Sequence, residues 1–458
     1  MVPLDSLQHF YFIGVAGSGM SAIAQYLAAT GKRVSGSDRF FTAGSNLPIQ
    51  LQLEAAGIRC HPQDGSGMKA QIDAVVVSTA IEPTVVEVQL AMQRGIPILR
   101  RSELLAMITR TRKTIAVGGT SGKSTTSGML YSILSAAGRN PGIISGAGLV
   151  SFIRQGKIGN AEAGNPDGWL IIEADESDGS IVQYQPEIGL LLNVDKDHQE
   201  LHELKELFTI FKANTKQEFI VNRSNAMAAE LSSGSRFDFS VDDTPAPLQA
   251  TDFKASGWEI TFNIQQVPFK LHAPGRHNME NAIAAVACAM ATGLSLEETV
   301  EGIQAYEGIY RRHQLIGVKN GITVVDDFAH NPVKCASSIR ACQGIGKKVI
   351  AWFQPHGYGP TRFLKDDFIA EISAALQEED EIWMSEIYYA GGTAVKDISA
   401  ADLIHGIQAQ HKKATFVEDR NQFAAAVRNH LQPGDILLLM GARDPTLETF
   451  ATEVFNNI

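Results

Sequence analysis

A glycine-rich segment, GGTSGKSTT at residues 118–126, constrains the fold of this chain more than any other part of the sequence. It follows an apolar strand pattern and opens a helix pattern, the arrangement in which backbone N–H groups face a phosphate. It is shorter than the standard eight-residue phosphate loop, because Val117 stands where that motif has its first glycine. The alternative is a glycine-rich turn with a surface lysine. The candidate nucleotide-binding residues are Gly119, Thr120, Gly122, Lys123, Ser124 and Thr125.

Short apolar runs alternate with helical patterns along the whole chain, which predicts parallel sheets covered by helices. The fold class expected is therefore α/β, with doubly wound, Rossmann-like units at both ends and a P-loop unit between them. The predicted strands are 9–15, 33–37, 74–78 and 97–99, then 114–117, 170–173, 188–193, 218–222, 258–264 and 268–271, then 322–326, 348–353, 381–384, 414–417 and 435–440. The unit boundaries fall near residues 109 and 308.

Composition excludes several classes of protein. The chain has 458 residues, 44% of them hydrophobic and 19% charged, as is usual for a globular protein. A net charge of −11 argues against a protein that coats nucleic acid. No apolar run reaches the roughly 20 residues of a spanning helix, and no basic stretch precedes an apolar one at the N-terminus. We therefore expect a cytoplasmic protein without a membrane or nucleic-acid partner; its oligomeric state is not encoded in any pattern.

A second glycine turn, GVAGSG at residues 14–19, follows the first predicted strand. Gly14 and Gly19 match the first and third glycines of a dinucleotide-binding turn, while Ala16 replaces the second. Asp38 ends the next strand, where an acid would meet a ribose. The turn is compatible with NAD, with another diphosphate such as a nucleotide sugar, or with no ligand.

Acidic residues follow two strands of the central unit. Glu173, at the end of a strand beside the phosphate loop, is the candidate Mg²⁺ ligand together with Ser124. Asp175, Glu176 and Asp178 are equally well explained as a solvated acidic turn. His198, in NVDKDHQE, is a candidate ligand for a second metal ion.

Polar groups also cluster at a helix start and on loops of the last unit. GRHNMENA contains amides that could bind an adenine edge, or simply cap a helix. Either arginine of YRRHQ could contact a phosphate, or both could belong to a charged linker. Loops that follow strands in doubly wound sheets bind ligands, which selects residues of VVDDFAHNP and FQPHGYGPTRF. These candidates are His277, Asn278, Asn281, Arg311, Asp327, His330, His356 and Arg362.

Taken in chain order, GVAGSGMSAIA, GGTSGKSTT, EADESDGS, GRHN, the double arginine, DDFAHNP and FQPH resemble the Mur ligase family. The resemblance implies a UDP-sugar-binding domain at 1–109, an ATP-binding domain at 110–308 and a C-terminal ligase domain at 309–458 that closes over ATP. It implies ATP and Mg²⁺ as cofactors and UDP-N-acetylmuramate as the carboxylate substrate. The acceptor amine belongs to a small L-amino acid or, as the alternative, to a murein tripeptide.

The same resemblance implies roles for individual residues. Lys123, His198 and His330 are the expected catalytic residues; Ser124, Glu173 and His198 are the expected metal ligands. The ATP set adds His277, Asn278, Asn281, Arg311 and Asp327 to the phosphate loop, and the acceptor set is His330, His356 and Arg362. The expected UDP-sugar contacts are Gly14, Ala16, Gly17, Ser18, Gly19, Met20, Ser37, Asp38 and Ser78.

The chain departs from the family pattern mainly where the acceptor would bind. Phe328 and Asn331 stand where many alanine-adding members have tyrosine and histidine, and Gly357 replaces the first arginine after FQPH. The second arginine of that loop is displaced to Arg362. Two other classes stay open: a dinucleotide-dependent oxidoreductase built on the first glycine turn, and a nucleotide-binding paralogue without activity.

Overall fold

The computed structural model describes residues 3–42, 47–69, 71–195, 201–241, 244–389, 395–444 and 446–458. The chain forms two compact units. The first comprises Met1–Lys254, Thr261–His272 and Arg276–Tyr310, and the second comprises Ala255–Ile260, Ala273–Gly275 and Arg311–Ile458. Among the described helices, none combines the length and the apolar character needed to cross a membrane.

The first unit begins with a five-stranded parallel sheet in the order β3-β2-β1-β4-β5. Because β1 and β4 start the two opposite directions of winding, a crevice opens at their carboxyl ends, where ligands bind in such sheets. The strands are β1 His9–Ile13, β2 Arg33–Asp38, β3 Arg59–Pro62, β4 Ala74–Val77 and β5 Ile98–Arg100, and the helices are α1 Ser18–Ala29, α2 Pro48–Ala55, α3 Val86–Gln93 and α4 Arg101–Thr109.

A second sheet of the same unit has the order β11-β10-β6-β9-β7-β8 and is parallel except for β8. Its central strands β6, β9 and β10 are almost fully buried, so the polar residues that follow them gather at one edge. The strands are β6 Thr114–Gly118, β7 Gly142–Ile144, β8 Ala161–Glu162, β9 Leu170–Ala174, β10 Ile188–Leu191 and β11 Glu218–Val221, and the helices are α5 Lys123–Ala136, α6 Val150–Ile153, α7 Leu201–Asn214 and α8 Ala226–Glu230.

A four-stranded sheet and two helices follow. The sheet has the order β12-β13-β14-β15. These strands are β12 Phe239–Val241, β13 Leu248–Ser256, β14 Glu259–Ile264 and β15 Val267–Leu271, and the helices are α9 Arg276–Ala291 and α10 Val300–Gln304. Alanines let α9 pack closely, and 11 of its 16 residues are buried.

The second unit contains a six-stranded sheet in the order β16-β17-β21-β18-β19-β20, in which only the edge pair β16–β17 is antiparallel among the described pairs. β21 lies in the middle of the sheet and all six of its residues are buried. The strands are β16 Gln314–Lys319, β17 Ile322–Asp327, β18 Val349–Gln354, β19 Glu381–Met384, β20 Lys413–Phe416 and β21 Ile436–Gly441, and the helices are α11 Pro332–Gln343, α12 Tyr358–Phe363, α13 Lys365–Ala375, α14 Ala400–Ala409, α15 Phe423–Val427 and α16 Leu447–Asn457.

All predicted strands are present, and their ends differ from the predicted ends by at most two residues. The prediction missed the short buried strand Phe239–Val241. It also missed β3, β7, β8, β13 and β16, which are short or only partly buried and therefore lack a continuous apolar run. The boundaries near residues 109 and 308 stay predictions.

Candidate active site

The phosphate loop connects β6 to α5 through residues 119–122. Gly119 and Gly122 have φ angles of 138° and 84°, in a region that side chains rarely tolerate. A Cβ atom at Gly122 would lie 2.5 Å from Oδ1 of Asn281. The loop therefore requires glycine at this position for two separate reasons, and its backbone can approach a ligand closely.

Asn193, the second residue after β10, fixes the shape of the loop. Its Oδ1 accepts hydrogen bonds from Thr120 Oγ1 at 2.9 Å and from the Ser121 N–H at 2.8 Å. Its backbone carbonyl accepts the Thr120 N–H at 3.2 Å. Thr125 lies half-buried in the first turn of α5. Sequence reasoning missed Asn193, although its place at the end of a buried strand was a usable signal.

Lys123 is held by two acceptors beside the loop. Its Nζ donates to the Gly119 carbonyl at 2.8 Å and to Glu176 Oε2 at 2.7 Å, and lies 3.6 Å from Asp175 Oδ1. Burial raises the pKa of Glu176, and the Lys123 ammonium opposes that rise. The solvated-turn interpretation is wrong for Glu176, whose residue is only 5% exposed. Asp175 and Asp178 are more accessible.

The Glu173 carboxylate, at the end of β9, accepts three hydrogen bonds. Its Oε2 accepts the Ser124 hydroxyl at 3.0 Å. Its Oε1 accepts the Ser145 hydroxyl at 2.5 Å and the Gly146 N–H at 2.8 Å. A hydroxyl and a carboxylate oxygen in contact are donors that fit Mg²⁺, which prefers oxygen and retains water in its coordination shell. The sequence did not single out Ser145 and Gly146, which lie just after a short strand.

The predicted ligand His198 lies outside the described residues. Within the described part of the chain, no group of three or more His, Cys, Asp or Glu side chains could hold a metal ion. The Ser124–Glu173 pair therefore offers two ligands and leaves the remaining positions to water or to a nucleotide.

Three polar residues of α9 were predicted to contact ATP. Asn281 Oδ1 accepts the Thr126 hydroxyl of α5 at 3.2 Å, and Asn281 Nδ2 donates to Asn278 Oδ1 at 3.3 Å. These contacts place both amides next to the phosphate loop. His277, one residue earlier, is exposed to solvent.

The first glycine turn is stabilised by the end of β2. Gly14 has a φ angle of 78° and donates its N–H to the Ser37 carbonyl at 2.8 Å. The Ala16 N–H donates to Asp38 Oδ2 at 3.1 Å, and the Gly17 N–H donates to the Gly14 carbonyl at 3.1 Å. The Asp38 carboxylate therefore holds the turn itself, although it was predicted as a ligand contact.

Only part of this turn is exposed to solvent. Gly17 and Ser18 are exposed at the start of α1, where N–H groups can bind an anion. Met20 and Ser37 are buried, and Ser78 is half-buried just after β4. The predicted set thus lies at the carboxyl edge of one sheet, while only some members are exposed.

Arg101, which the sequence analysis did not select, is adjacent to this turn. A Cβ atom at Gly19 would lie 3.0 Å from a terminal nitrogen of Arg101. The same guanidinium is 3.5 Å from Asp178 Oδ2. A half-buried cation beside a glycine turn at a helix start fits a diphosphate, but its position at the start of the mostly buried helix α4 gave no sequence signal.

Arg311, which was predicted to contact ATP, has its polar partners within the second unit. Its side chain is buried, with Nε 2.8 Å from Asp326 Oδ2 and a terminal nitrogen 3.2 Å from Asp326 Oδ1. The same nitrogen donates to the Gly441 carbonyl at 2.9 Å. Burial raises the pKa of Asp326 to about 6, against the opposing effect of Arg311. Arg312 is the exposed member of the pair.

Asp327 is also engaged within the second unit. Its Oδ2 accepts the His313 N–H at 2.7 Å and its Oδ1 accepts the Ala329 N–H at 2.9 Å. The residue is 8% exposed. These bonds shape the loop after β17, and a ribose hydroxyl would have to share the same carboxylate.

His330 and His356 lie together, with ring centroids 5.8 Å apart. His330 Nδ1 is 2.9 Å from the Phe328 carbonyl, which can only accept, so Nδ1 carries the proton and Nε2 is the accepting nitrogen. Burial lowers the pKa of both rings, to about 4 for His356. Both imidazoles are therefore neutral at pH 7.

Arg362, the third residue predicted for the acceptor, has partners on the surface. It forms an ion pair with Asp397 and donates to the Val395 carbonyl at 3.1 Å. The side chains of Arg362 and Asp397 are each about half exposed. Binding a carboxylate with Arg362 would require the exchange of this acidic partner.

Comparison with known proteins gives the class of protein first. Three family profiles match in chain order: Mur ligase family, catalytic domain, at residues 9–113; Mur ligase middle domain at 117–289; and Mur ligase, glutamate ligase domain, at 311–443. The chain belongs to the Mur ligase family. The three-part α/β architecture predicted from the motifs is confirmed, and the protein is a ligase of this ATP-dependent family.

Among individual proteins, the chain is similar to UDP-N-acetylmuramate–L-alanine ligases. It is 32% identical to that of Pelotomaculum thermopropionicum, covering 96% of both chains, and 33% identical to that of a Geobacter species, covering 95% of both. The crystal structure of UDP-N-acetylmuramate-alanine ligase MurC from Thermotoga maritima matches with a TM-score of 0.80 at 23% identity, covering 98% of both chains. A murein peptide ligase from Psychrobacter arcticus matches with a TM-score of 0.68 at 22% identity and the same coverage.

Proposed function

We propose that the protein joins the carboxylate of UDP-N-acetylmuramate to the amine of L-alanine or another small L-amino acid, with ATP consumed, in peptidoglycan precursor synthesis. The observation that carries the proposal is the phosphate loop with Lys123 beside the Ser124–Glu173 oxygen pair. Relatives of about 32% identity that cover nearly the whole chain and bear this activity in their names support the choice of substrates.

The ATP half of the proposal assigns one task to each group. Backbone N–H groups of the loop other than those of Thr120 and Ser121, which donate to Asn193, bind phosphate oxygens. Lys123 exchanges Glu176 for the outer phosphates when ATP binds. Ser124 and Glu173, with His198, would hold Mg²⁺, which neutralises charge on the transferring phosphoryl group. Asn278, Asn281 and His277 bind ATP from the start of α9.

The reaction proceeds in two steps. A carboxylate is a poor acyl donor, so the γ-phosphoryl group of ATP is first transferred to it, which leaves ADP and an acyl phosphate. The acceptor amine then attacks the acyl carbon, and the tetrahedral intermediate expels phosphate to leave an amide. Neutral His330 lies near the amine and can accept a proton through Nε2. Because phosphoryl transfer needs positioning and charge neutralisation above all, the phosphate loop is the decisive element.

The UDP-sugar half assigns the first glycine turn to the diphosphate of UDP-N-acetylmuramate. The N–H group of Ser18 at the start of α1 and the guanidinium of Arg101 would bind the diphosphate, while Asp38 and the Gly17–Gly14 hydrogen bond keep the turn in shape. The proposal also divides the chain into a UDP-sugar-binding domain at 1–109, an ATP-binding domain at 110–308 and a C-terminal ligase domain at 309–458. A cytoplasmic place of action, where ATP and nucleotide sugars are available, belongs to the same proposal.

A recycling ligase that adds murein tripeptide to the same sugar nucleotide is the second candidate. It is favoured by the DDFAHNP loop and by the similarity to the murein peptide ligase from Psychrobacter arcticus. The two candidates share every ATP-binding residue and differ only in the acceptor.

The test is ATP-dependent phosphate release with UDP-N-acetylmuramate and a panel of amines, with product masses measured in parallel. The panel contains single L- and D-amino acids and the murein tripeptide. Turnover with one small L-amino acid is expected. Lys123→Ala should abolish turnover, whereas Lys157→Ala, which removes an exposed lysine paired with Glu162, should not. No turnover with any amine, from a protein that still binds ATP, would refute the proposed substrates.

A further inference from the structure

The loop after β21 occupies the middle of the carboxyl edge of the second-unit sheet. In the strand register, Met440 is opposite Asp327 of β17, and Gly441 is opposite Gln354 of β18. Residues 442–444 are therefore flanked by the segment that carries His330 on one side and by the segment that carries His356 on the other. Arg443 lies at the centre of this loop.

Both ends of the loop are anchored. Arg311 donates to the Gly441 carbonyl at 2.9 Å. The buried Asp444 forms an ion pair with the partly exposed Arg420, and its Oδ1 also accepts the Thr446 N–H at 2.9 Å. These bonds leave Arg443 as the exposed residue between two fixed points, with a φ angle of 68° that few residues other than glycine adopt.

The guanidinium of Arg443 differs from those of Arg311, Arg362 and Arg420 on this edge, and it shares its effect on His330 with the exposed Arg312. Arg311, Arg362 and Arg420 each pair with an aspartate. For Arg443, no hydrogen bond or ion pair is found to any residue that the structure describes. Its positive charge nevertheless acts on both histidines, since it contributes to the lowered pKa of His330 and of His356. A cation for which the described residues supply no acidic partner, beside two neutral imidazoles, is suited to an anion.

We propose that Arg443 binds the α-carboxylate of the acceptor amino acid and thereby selects a free amino acid over an amide or a peptide. The inference rests on the proposed function. In an amino acid the carboxylate is one carbon away from the amine, so a residue that binds it on the loop next to His330 also positions the nucleophile. Arginine matches a carboxylate with two parallel hydrogen bonds. Arg362, the alternative clamp, is already paired with Asp397.

The test compares L-alanine with L-alaninamide, which keeps the amine and lacks the carboxylate. Wild type, Arg443→Gln and Arg443→Lys are assayed by phosphate release with saturating ATP and UDP-N-acetylmuramate. Arg340→Gln is the matched control, because it removes an exposed arginine from α11 of the same unit. Thermal unfolding of each variant verifies that the fold is retained.

In the expected result, Arg443→Gln raises the KM for L-alanine about tenfold or more and leaves the KM values for ATP and UDP-N-acetylmuramate unchanged. Its kcat/KM for L-alaninamide stays at the wild-type value, so the preference for alanine is lost. Arg443→Lys retains part of the preference, since the charge remains without the planar fork. Arg340→Gln behaves as wild type.

Several outcomes would overturn the inference. An equal loss with alanine and alaninamide would mean that Arg443 only shapes the loop, and a raised KM for ATP would make it a phosphate contact. Carboxylate selection would be excluded, with the ligase activity intact, if Arg443→Gln left the KM for L-alanine unchanged or if the wild type used only the tripeptide. A wild type that turns over no amine at all would instead refute the proposed function itself.

Discussion

Replacing Arg311 by methionine tests whether this arginine supports the second unit or contacts ATP. The change leaves the Asp326 carboxylate buried without its cation and removes a donor from the Gly441 carbonyl. Breaking a buried ion pair from one side costs about 3–5 kcal/mol. We expect the free energy of unfolding of the second unit to fall by about that amount at pH 8, a large share of the stability of a domain.

The same change should make stability depend on pH in a defined direction. Burial already raises the pKa of Asp326 to about 6, and loss of the guanidinium raises it further. A group whose folded-state pKa exceeds its unfolded-state pKa contributes stability at low pH that is lost as the pH rises through the folded-state value. The deficit of Arg311→Met relative to wild type should therefore grow between pH 6 and pH 8.5.

Urea unfolding of the full chain, followed by tryptophan fluorescence, measures these effects, because Trp352 and Trp383 lie in the core of the second unit. The double variant Arg311→Met with Asp326→Asn removes both charges of this ion pair and should recover part of the loss at pH 8. If Arg311 affects ATP binding only by supporting the fold of the second unit, the KM for ATP should recover together with the stability. A double variant that is stable but retains a KM raised tenfold would refute this reasoning and restore Arg311 as a direct ATP contact.

Three further predictions concern the loops. Gly122→Ala should abolish ATP binding in a fluorescent-nucleotide titration. Its Cβ would lie 2.5 Å from Asn281 Oδ1, and the left-handed backbone adds a cost of about 1–2 kcal/mol. The control Gly138→Ala, at a φ of 71° with open space around it, should retain ATP binding. Glu173→Gln should raise the Mg²⁺ concentration for half-maximal phosphate release tenfold or more. The depressed pKa of His356 should lower the thermal midpoint as the pH falls from 6.5 towards 4, since only the unfolded chain gains a proton there.

The measurements on Glu173 and His356 each have a matched control variant. Glu162→Gln alters a partly exposed glutamate that pairs with Lys157 and should leave the Mg²⁺ requirement unchanged. Equal shifts in both variants would contradict the assignment of Glu173. His356→Gln should flatten the acid loss of stability, whereas His405→Gln, at an exposed position on α14, should not. An identical pH profile for His356→Gln and wild type would show that another group causes the acid loss.

The sequence predicted the sheets well because their central strands are buried on both sides. β6, β10 and β21 are continuous apolar runs, and such runs can be recognised without any neighbours. Edge strands gave no comparable signal. β16 is exposed in part along its whole length, so its side chains do not separate it from a loop, and β3 has the sequence RCHP.

The candidate site could be located from the sequence, but the partners of its side chains could not. Strand-end positions identified Lys123, Glu173 and His330, because carboxyl ends of parallel strands converge. The pairing of Lys123 with Glu176 and the burial of Arg311 depend on contacts between segments far apart in the chain. Asn193 and Arg443 escaped selection for the same reason, since each is defined by what surrounds it.

The position of β21 in the centre of its sheet sets an order of events during synthesis. β17 and β18 do not pair with each other but only through β21, so they leave the ribosome with their pairing edges unmatched. Residues 355–435 must be translated before the linking strand arrives, which takes on the order of 4–16 s at roughly 5–20 residues per second. During that interval the nascent second unit exposes apolar strand edges, and a chaperone that shields such edges would have its main window of action there.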